Sequence, residues 1–201
     1  SIQVVGDRES PEMFMLEEST DTHQVQTLLE EQALIDPLTR LPNRRALLNE
    51  LKQWTAHNDR NPSPFAVMMI DLDGFKLIND QYGHSSGDKV LSEIGARFKN
   101  RTRDSDFIGR LGGDEFMILA ADVTSHQSCQ ELCEDLIKLI KQPIEINSDG
   151  ERHTVSVGGS IGISICPEHS SIDTELAELA DKAMYKVKNR EKGGWMIFEE
   201  S

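Results

Sequence analysis

The sequence predicts an α/β fold of the α+β kind, a mixed central sheet with helices packed on it. Three observations carry that expectation. Helical apolar periodicities alternate with short strand-like runs along most of the chain. One run, Phe65-Ala66-Val67-Met68-Met69-Ile70, places six apolar residues in a row without alternation, as a strand buried on both faces requires. Two further runs flank the glycine pair Gly112-Gly113 as a hairpin from about Asp106 to Ala121. The hairpin interrupts the helix–strand alternation, so strands of both directions must share the sheet.

Composition narrows the class. The chain has 201 residues, 37% of them apolar, enough for one domain with an extension attached. Twenty-one basic against 35 acidic residues give a net charge of −14, which excludes nucleic acid and anionic membrane as expected partners. A nucleotide is compatible, because local Lys and Arg together with a metal can hold phosphates on an acidic protein. Cys129, Cys133 and Cys166 are odd in number and without further spaced metal ligands; they read as buried free thiols in a reducing cytosol. No apolar run approaches a membrane span and no signal peptide is visible, so a cytoplasmic location is expected, the alternative being a longer protein anchored to a membrane through a region upstream of this sequence.

Taken in order, residues 1–16 show little periodicity and carry no fold assignment. From Glu17 to Ile35, Val25, Leu28, Gln32 and Ile35 recur at helical spacing, either as a solvated lead-in helix or as a short coiled coil joining two protomers. The expected division is therefore an extension, 1–35, and a domain, 36–201. Asp36-Pro37 breaks the helix, and Pro42-Asn43 starts another with Ala46, Leu47, Leu51 and Trp54 inward. Asn61-Pro62-Ser63-Pro64 loops into the central strand. A short helix follows Lys76, and after Gly83 to Gly87 comes one with Val90, Leu91, Ile94 and Phe98 inward. Beyond the hairpin, a helix buries Leu132, Cys133, Leu136, Ile137 and Ile140 and stops at Pro143. His153 to Ile165 alternates as one strand, with Gly158-Gly159 as a weak or bulged point. Asp173 is placed to cap a final helix with Leu176, Leu179, Ala180, Ala183, Met184 and Val187 inward, and Trp195 to Phe198 is a last short strand.

The chemistry gathers at two places. At Arg110-Leu111-Gly112-Gly113-Asp114-Glu115-Phe116, two carboxylates stand beside bare glycine backbone, where a large anion can approach closely and acids can hold the divalent metal it brings. Such a tip is also common on ordinary surfaces. The buried strand ends in Asp71 and Asp73, which a period of two puts on one side. Asp73 could simply cap the next helix; the sharper reading pairs Asp71 with Asp114 around a cation that relieves their repulsion.

These residues resemble a family. Gly112 to Phe116 spell the signature of the GGDEF domains, diguanylate cyclases that condense two GTP into cyclic di-GMP. The resemblance extends to Asp36-Pro37-Leu38-Thr39-Arg40-Leu41-Pro42-Asn43-Arg44, Asp71 to Lys76, Asn79 to His84, Gly87-Asp88 and Ala180 to Tyr185, in the expected order. It implies a nucleotidyl-cyclase-like sandwich and a homodimer, because one site holds one GTP and the product is two-fold symmetric.

It also implies roles, position by position. Asp71, the Leu72 carbonyl and Asp114 would hold Mg2+, with Mn2+ as the other candidate; the resemblance also gives Asp114 a catalytic part in deprotonating the hydroxyl, with Glu115 as a second acid beside it. A carboxylate on a cation is a weak base, so the metal rather than Asp114 is expected to activate the hydroxyl. Asp88 would accept N1–H and the exocyclic amine of guanine, with Asn79 as its partner, which favours GTP over ATP. By residue type alone, Asp88 reads as a helix cap and Asn79 as a turn residue. Gly112, Gly113, Leu38 and His84 match substrate-contacting positions, and Lys76 and Lys188 the phosphate side. The match departs after Lys188, where Glu191-Lys192 stands for the usual Gly-Arg and keeps charge without a bidentate fork. Arg103 with Asp106 matches the inhibitory product site for cyclic di-GMP; the plain reading of that pair is a surface ion pair. The rivals to an enzyme are a silent GGDEF domain that binds GTP or cyclic di-GMP and a purely structural dimerisation domain.

Overall fold

The computed structural model describes residues 34–123, 125–190 and 192–200. The lead-in helix pattern and residues 1–16 therefore lie outside the described residues, apart from the last two positions of that pattern. Of these, Ile35 is not helical: it forms an isolated antiparallel bridge with Pro42.

Helix α1, Arg44–Asn58, starts where Asn43 accepts a hydrogen bond from the Ala46 amide at 3.1 Å, satisfying one of the orphan donors of the first turn. Strand β1, Phe65–Asp73, comes next, and its first eight residues are buried. Helices α2, Phe75–Tyr82, and α3, His84–Arg101, are separated by Gly83 alone, at a positive φ that glycine tolerates. The second helix starts earlier than its apolar stripe suggested, at His84, so Gly87 and Asp88 are helical. Strands β2, Phe107–Gly112, and β3, Glu115–Ala120, form the expected hairpin, and α4, His126–Ile140, succeeds it with Ser125 as its cap.

The strand expected from His153 to Ile165 is a correction: it is two strands in two sheets. Residues 151–155 form β5, which pairs with β4, Ile144–Ser148, as a separate hairpin. Its turn is Asp149-Gly150, both at positive φ, the pair a type I′ turn demands. The chain breaks at Ser156-Val157 and resumes as β6, Gly158–Cys166, in the main sheet. Helix α5, Asp173–Arg190, and the edge strand β7, Trp195–Ile197, complete the domain.

The main sheet has the order β2-β3-β1-β6-β7; β1 is antiparallel to both neighbours, whereas β7 runs parallel to β6, so the sheet is mixed as expected. Alternation along β1 feeds two cores. Phe65, Val67 and Met69 pack with Leu47 and Leu51 of α1 and Leu176, Ala180 and Met184 of α5. Ala66, Met68, Ile70 and Leu72 pack with Ile94 and Phe98 of α3 and Cys133, Leu136 and Ile140 of α4. The three cysteines are buried and unbonded, and burial pushes the Cys129 thiol up to about 11.

A close helix–sheet approach sets the position of α5. A side chain on Gly162 would run into the Ala180 carbonyl and Met184 amide, so glycine lets α5 lie directly on β6. Ser164 Oγ, buried, donates to the Leu176 carbonyl at 2.7 Å and pins the start of the same helix.

Candidate active site

The register of the sheet assembles an acid cluster at the end of β1. Asp71 lies opposite Glu115 on β3 and Ser160 on β6, so all three side chains share the α1–α5 face of the sheet, and Asp73 joins them two residues on. The cap expected as the plain reading of Asp73 does not form. Asp73 does not cap α2, whose preceding residue is Gly74 with no side-chain cap; it accepts from Ser160 Oγ at 2.9 and 3.1 Å. Asp114 sits in the turn, outside the pleat, and its carbonyl accepts from the Leu72 amide at 3.2 Å, tying the hairpin tip to the strand end. The charge of Asp114 acts on both Asp71 and Glu115.

Burial raises the Asp71 carboxyl, and the charges of Asp114 and Asp73 add to that, against partial compensation from Lys188. Glu115 is raised the same way, by burial and by Asp71, Asp114 and Asp181. Lys188 Nζ of α5 lies 2.7 Å from Asp71 Oδ2. Burial disfavours its charge, but the bond to Asp71 and the nearby acids outweigh this and hold the ammonium above its ordinary range. Carboxylate oxygens in mutual repulsion are donors that suit a hard divalent cation. Among the described residues no three His, Cys, Asp or Glu side chains form a ready cage.

The tip itself is open. Gly112 and Gly113 have φ of 143° and 53°, and nothing lies within 4 Å of where their side chains would be. Arg110 sets its shape, a role that sequence reasoning missed. Its guanidinium donates to the Gly113 carbonyl at 2.8 and 3.0 Å and to the Asp36 carboxylate at 3.2 Å. Asp36 in turn accepts from the Thr39 amide and hydroxyl at 2.8 and 2.7 Å. The signal was a planar five-donor fork placed two residues before the glycines, but its partner could not be read locally.

Of the remaining expected residues, Asn79 on α2 faces Gly87, where its Oδ1 fills the space a side chain would need. The structure thus brings Asn79 next to the neighbour of Asp88. Asp88 is exposed in α3 and is not its cap, that place being Gly83. His84 and Lys76 are exposed, and Leu38 packs beneath α3, its carbonyl accepting from Ser92 Oγ at 3.3 Å. Arg103 and Asp106 lie away from this cluster, along a groove with Arg101, Ser128 and Leu132. They do not form an ion pair: the Asp106 carboxylate accepts from the backbone amides of Arg103 and Ala121 at 2.9 and 3.1 Å, and the Arg103 side chain is exposed. Lys192 is exposed.

A mixed sheet whose central strand delivers acids to a glycine hairpin tip defines a class of domain, and comparison names it. The family profile described as diguanylate cyclase, GGDEF domain matches residues 33–193, and the chain belongs to that family. It is 42% identical over 169 residues to the bifunctional diguanylate cyclase/cyclic di-GMP phosphodiesterase MucR of Pseudomonas aeruginosa, covering 84% of this chain and 24% of MucR. Diguanylate cyclase TpbB of the same organism is 39% identical over 171 residues, 85% of this chain and 39% of TpbB. The chain thus spans well under half of these relatives. The crystallised GGDEF domain of TpbB superposes with a TM-score of 0.77 at 38% identity, covering 82% of this chain and 94% of that one. A structure described as a novel interaction mode between a microbial GGDEF domain and cyclic di-GMP gives 0.71 at 28% identity, covering 84% and 99%. None of the described helices is long and apolar enough to cross a membrane.

Proposed function

We propose that this domain is a diguanylate cyclase that joins two GTP molecules into cyclic di-GMP. The observation that carries the reading is the acid cluster of Asp71, Asp114 and Glu115, with Asp71 and Glu115 raised by burial and mutual repulsion, directly beside an open glycine tip. Such a cluster is costly for an isolated domain and useful to one that takes up a metal-bound triphosphate.

In the reaction, the 3′-oxygen of each GTP attacks the α-phosphorus of the other. Each new P–O bond replaces the bond to pyrophosphate, and the hydroxyl proton is given up, twice per product. Asp71, Asp114 and the Leu72 carbonyl would hold Mg2+, or Mn2+, which when bound supplies positive charge for the phosphoryl oxygens, the leaving group and the hydroxyl. Gly112 and Gly113 admit the triphosphate to bare backbone, while Lys76 and Lys188 supply its countercharge. Asp88 and Asn79 select guanine by accepting its N1–H and amine together, where the N1 acceptor of adenine would be repelled. Two copies face one another, each carrying one GTP. Incubation with GTP and Mg2+ is expected to yield cyclic di-GMP and pyrophosphate, and Asp114→Ala to lower the rate by at least about 100-fold. Full activity in that variant would defeat the assignment.

Product feedback belongs to the same reading. With Asp106 committed to shaping the turn, the Arg103 guanidinium is available to the phosphates and guanine faces of cyclic di-GMP. Calorimetry should register cyclic di-GMP binding that Arg103→Ala abolishes; a signal unchanged by that substitution would remove the feedback role.

A further inference from the structure

The acid cluster has a resident cation whose position and packing point to a task of its own. Ala180, Met184 and Lys188 succeed one another at intervals of four on α5, so they form a single stripe facing the sheet. The first two seat on Gly162, and the third carries the stripe past the apolar core to the strand end, where its ammonium meets Asp71 Oδ2 at 2.7 Å. The Asp71 side chain is 9% exposed and that of Lys188 is 32% exposed, so the carboxylate is fixed in the sheet while the lysine stem reaches solvent. An ammonium at that distance from a carboxylate oxygen sits where a divalent ion bound to the same oxygen would repel it.

We infer that Lys188 is the internal counter-ion of the metal site: it holds Asp71 until a divalent cation displaces it, and its freed ammonium then turns to the phosphates that accompany the metal. The inference rests on the metal-site reading above. Charge accounting supports it. Asp73 and Asp114 act on both Asp71 and Lys188, and Asp181 acts on Glu115, so several acids are offset here by a flexible monovalent cation. Lysine suits the exchange better than arginine, because a point charge on a flexible stem can leave without breaking a fixed fork of hydrogen bonds. The occupant of Asp71 would thus change with loading, and Asp71 itself keeps a cation beside it in both states.

The sign of the effect separates this from ordinary phosphate binding. With the full chain and no nucleotide, Mn2+ binding followed by electron paramagnetic resonance of the free ion should tighten at least about fivefold in Lys188→Gln, since a competitor for Asp71 is gone. The same variant should bind a non-hydrolysable GTP analogue more weakly. Lys188→Arg, which keeps the charge, should not tighten Mn2+. In the unaltered protein, the ammonium resonance of Lys188 should lose its protected signal when Mg2+ is added. Mn2+ affinity unchanged or weakened in Lys188→Gln, or an ammonium signal that survives Mg2+, overturns the inference, because the metal then uses Asp71 with the ion pair intact. Asp71→Asn keeps the two readings apart: if it leaves Mn2+ binding unaltered, the metal site itself has been misassigned, whereas loss of binding there with no gain in Lys188→Gln sinks only the counter-ion role.

Discussion

At the residue scale, Asp36 shows how one carboxylate is held. Burial works to raise its carboxyl, but the Thr39 hydroxyl and amide and the Arg110 guanidinium outweigh it, and the net shift is downward from the ordinary 3.8. A lowered folded value means that the native state binds fewer protons than the unfolded chain. The stabilisation is therefore present above pH 3.8 and lost as pH falls through the folded value. Urea unfolding across the acid limb should find that Asp36→Asn flattens this part of the stability profile; an identical slope in both proteins would mean that the ion pair with Arg110 contributes nothing. Because Arg110 also holds the Gly113 carbonyl, the same substitution should loosen the tip.

Among the elements, two glycines with crowded surroundings have different expected consequences. Gly162→Ala sets a methyl against backbone, the Ala180 carbonyl and Met184 amide, which cannot rotate aside. The cost should reach about 1–3 kcal/mol, seen in calorimetry as a clear fall in Tm. It should also shift Lys188 away from Asp71, because α5 carries both. Gly87→Ala instead meets chiefly the Asn79 side chain, which can turn away, while the buried Phe75 ring at 3.1 Å must give slightly. Its main expected loss is in recognition: a raised KM for GTP, with a smaller fall in Tm than in Gly162→Ala. A Gly87→Ala protein with normal KM would mean that Asn79 does not read the base from its observed place.

For the whole molecule, the proposed site is half of a reaction centre. Turnover per protomer should therefore rise with protein concentration and fall on dilution, and deletion of residues 1–35 should move that dependence to higher concentration if the lead-in segment joins the protomers. Specific activity independent of concentration down to the nanomolar range would argue against assembly during catalysis. The chain's net charge of −14 opposes association of two copies, so the proposed pairing would have to come from specific contacts and from the ligands themselves.

Local rules made the site's framework legible. Positive φ at Gly112 and Gly113 and a two-residue period bringing Asp71 and Asp73 to one face are short-range properties, and the amino-acid order alone determined them. The same rules misjudged His153 to Ile165, because alternation does not reveal which sheet a strand joins; the local signal that marks the hairpin is the Asp149-Gly150 turn. What only the tertiary structure decided is which charges meet: Lys188 with Asp71, Arg110 with Asp36 and the Gly113 carbonyl, Asp73 with Ser160 rather than with a helix end. The charge pairs and the Ser160 bond join residues distant along the chain. For Lys188 the encounter depends on how closely a helix can lie on the sheet, a matter settled by packing at Gly162 and not by any neighbour in sequence.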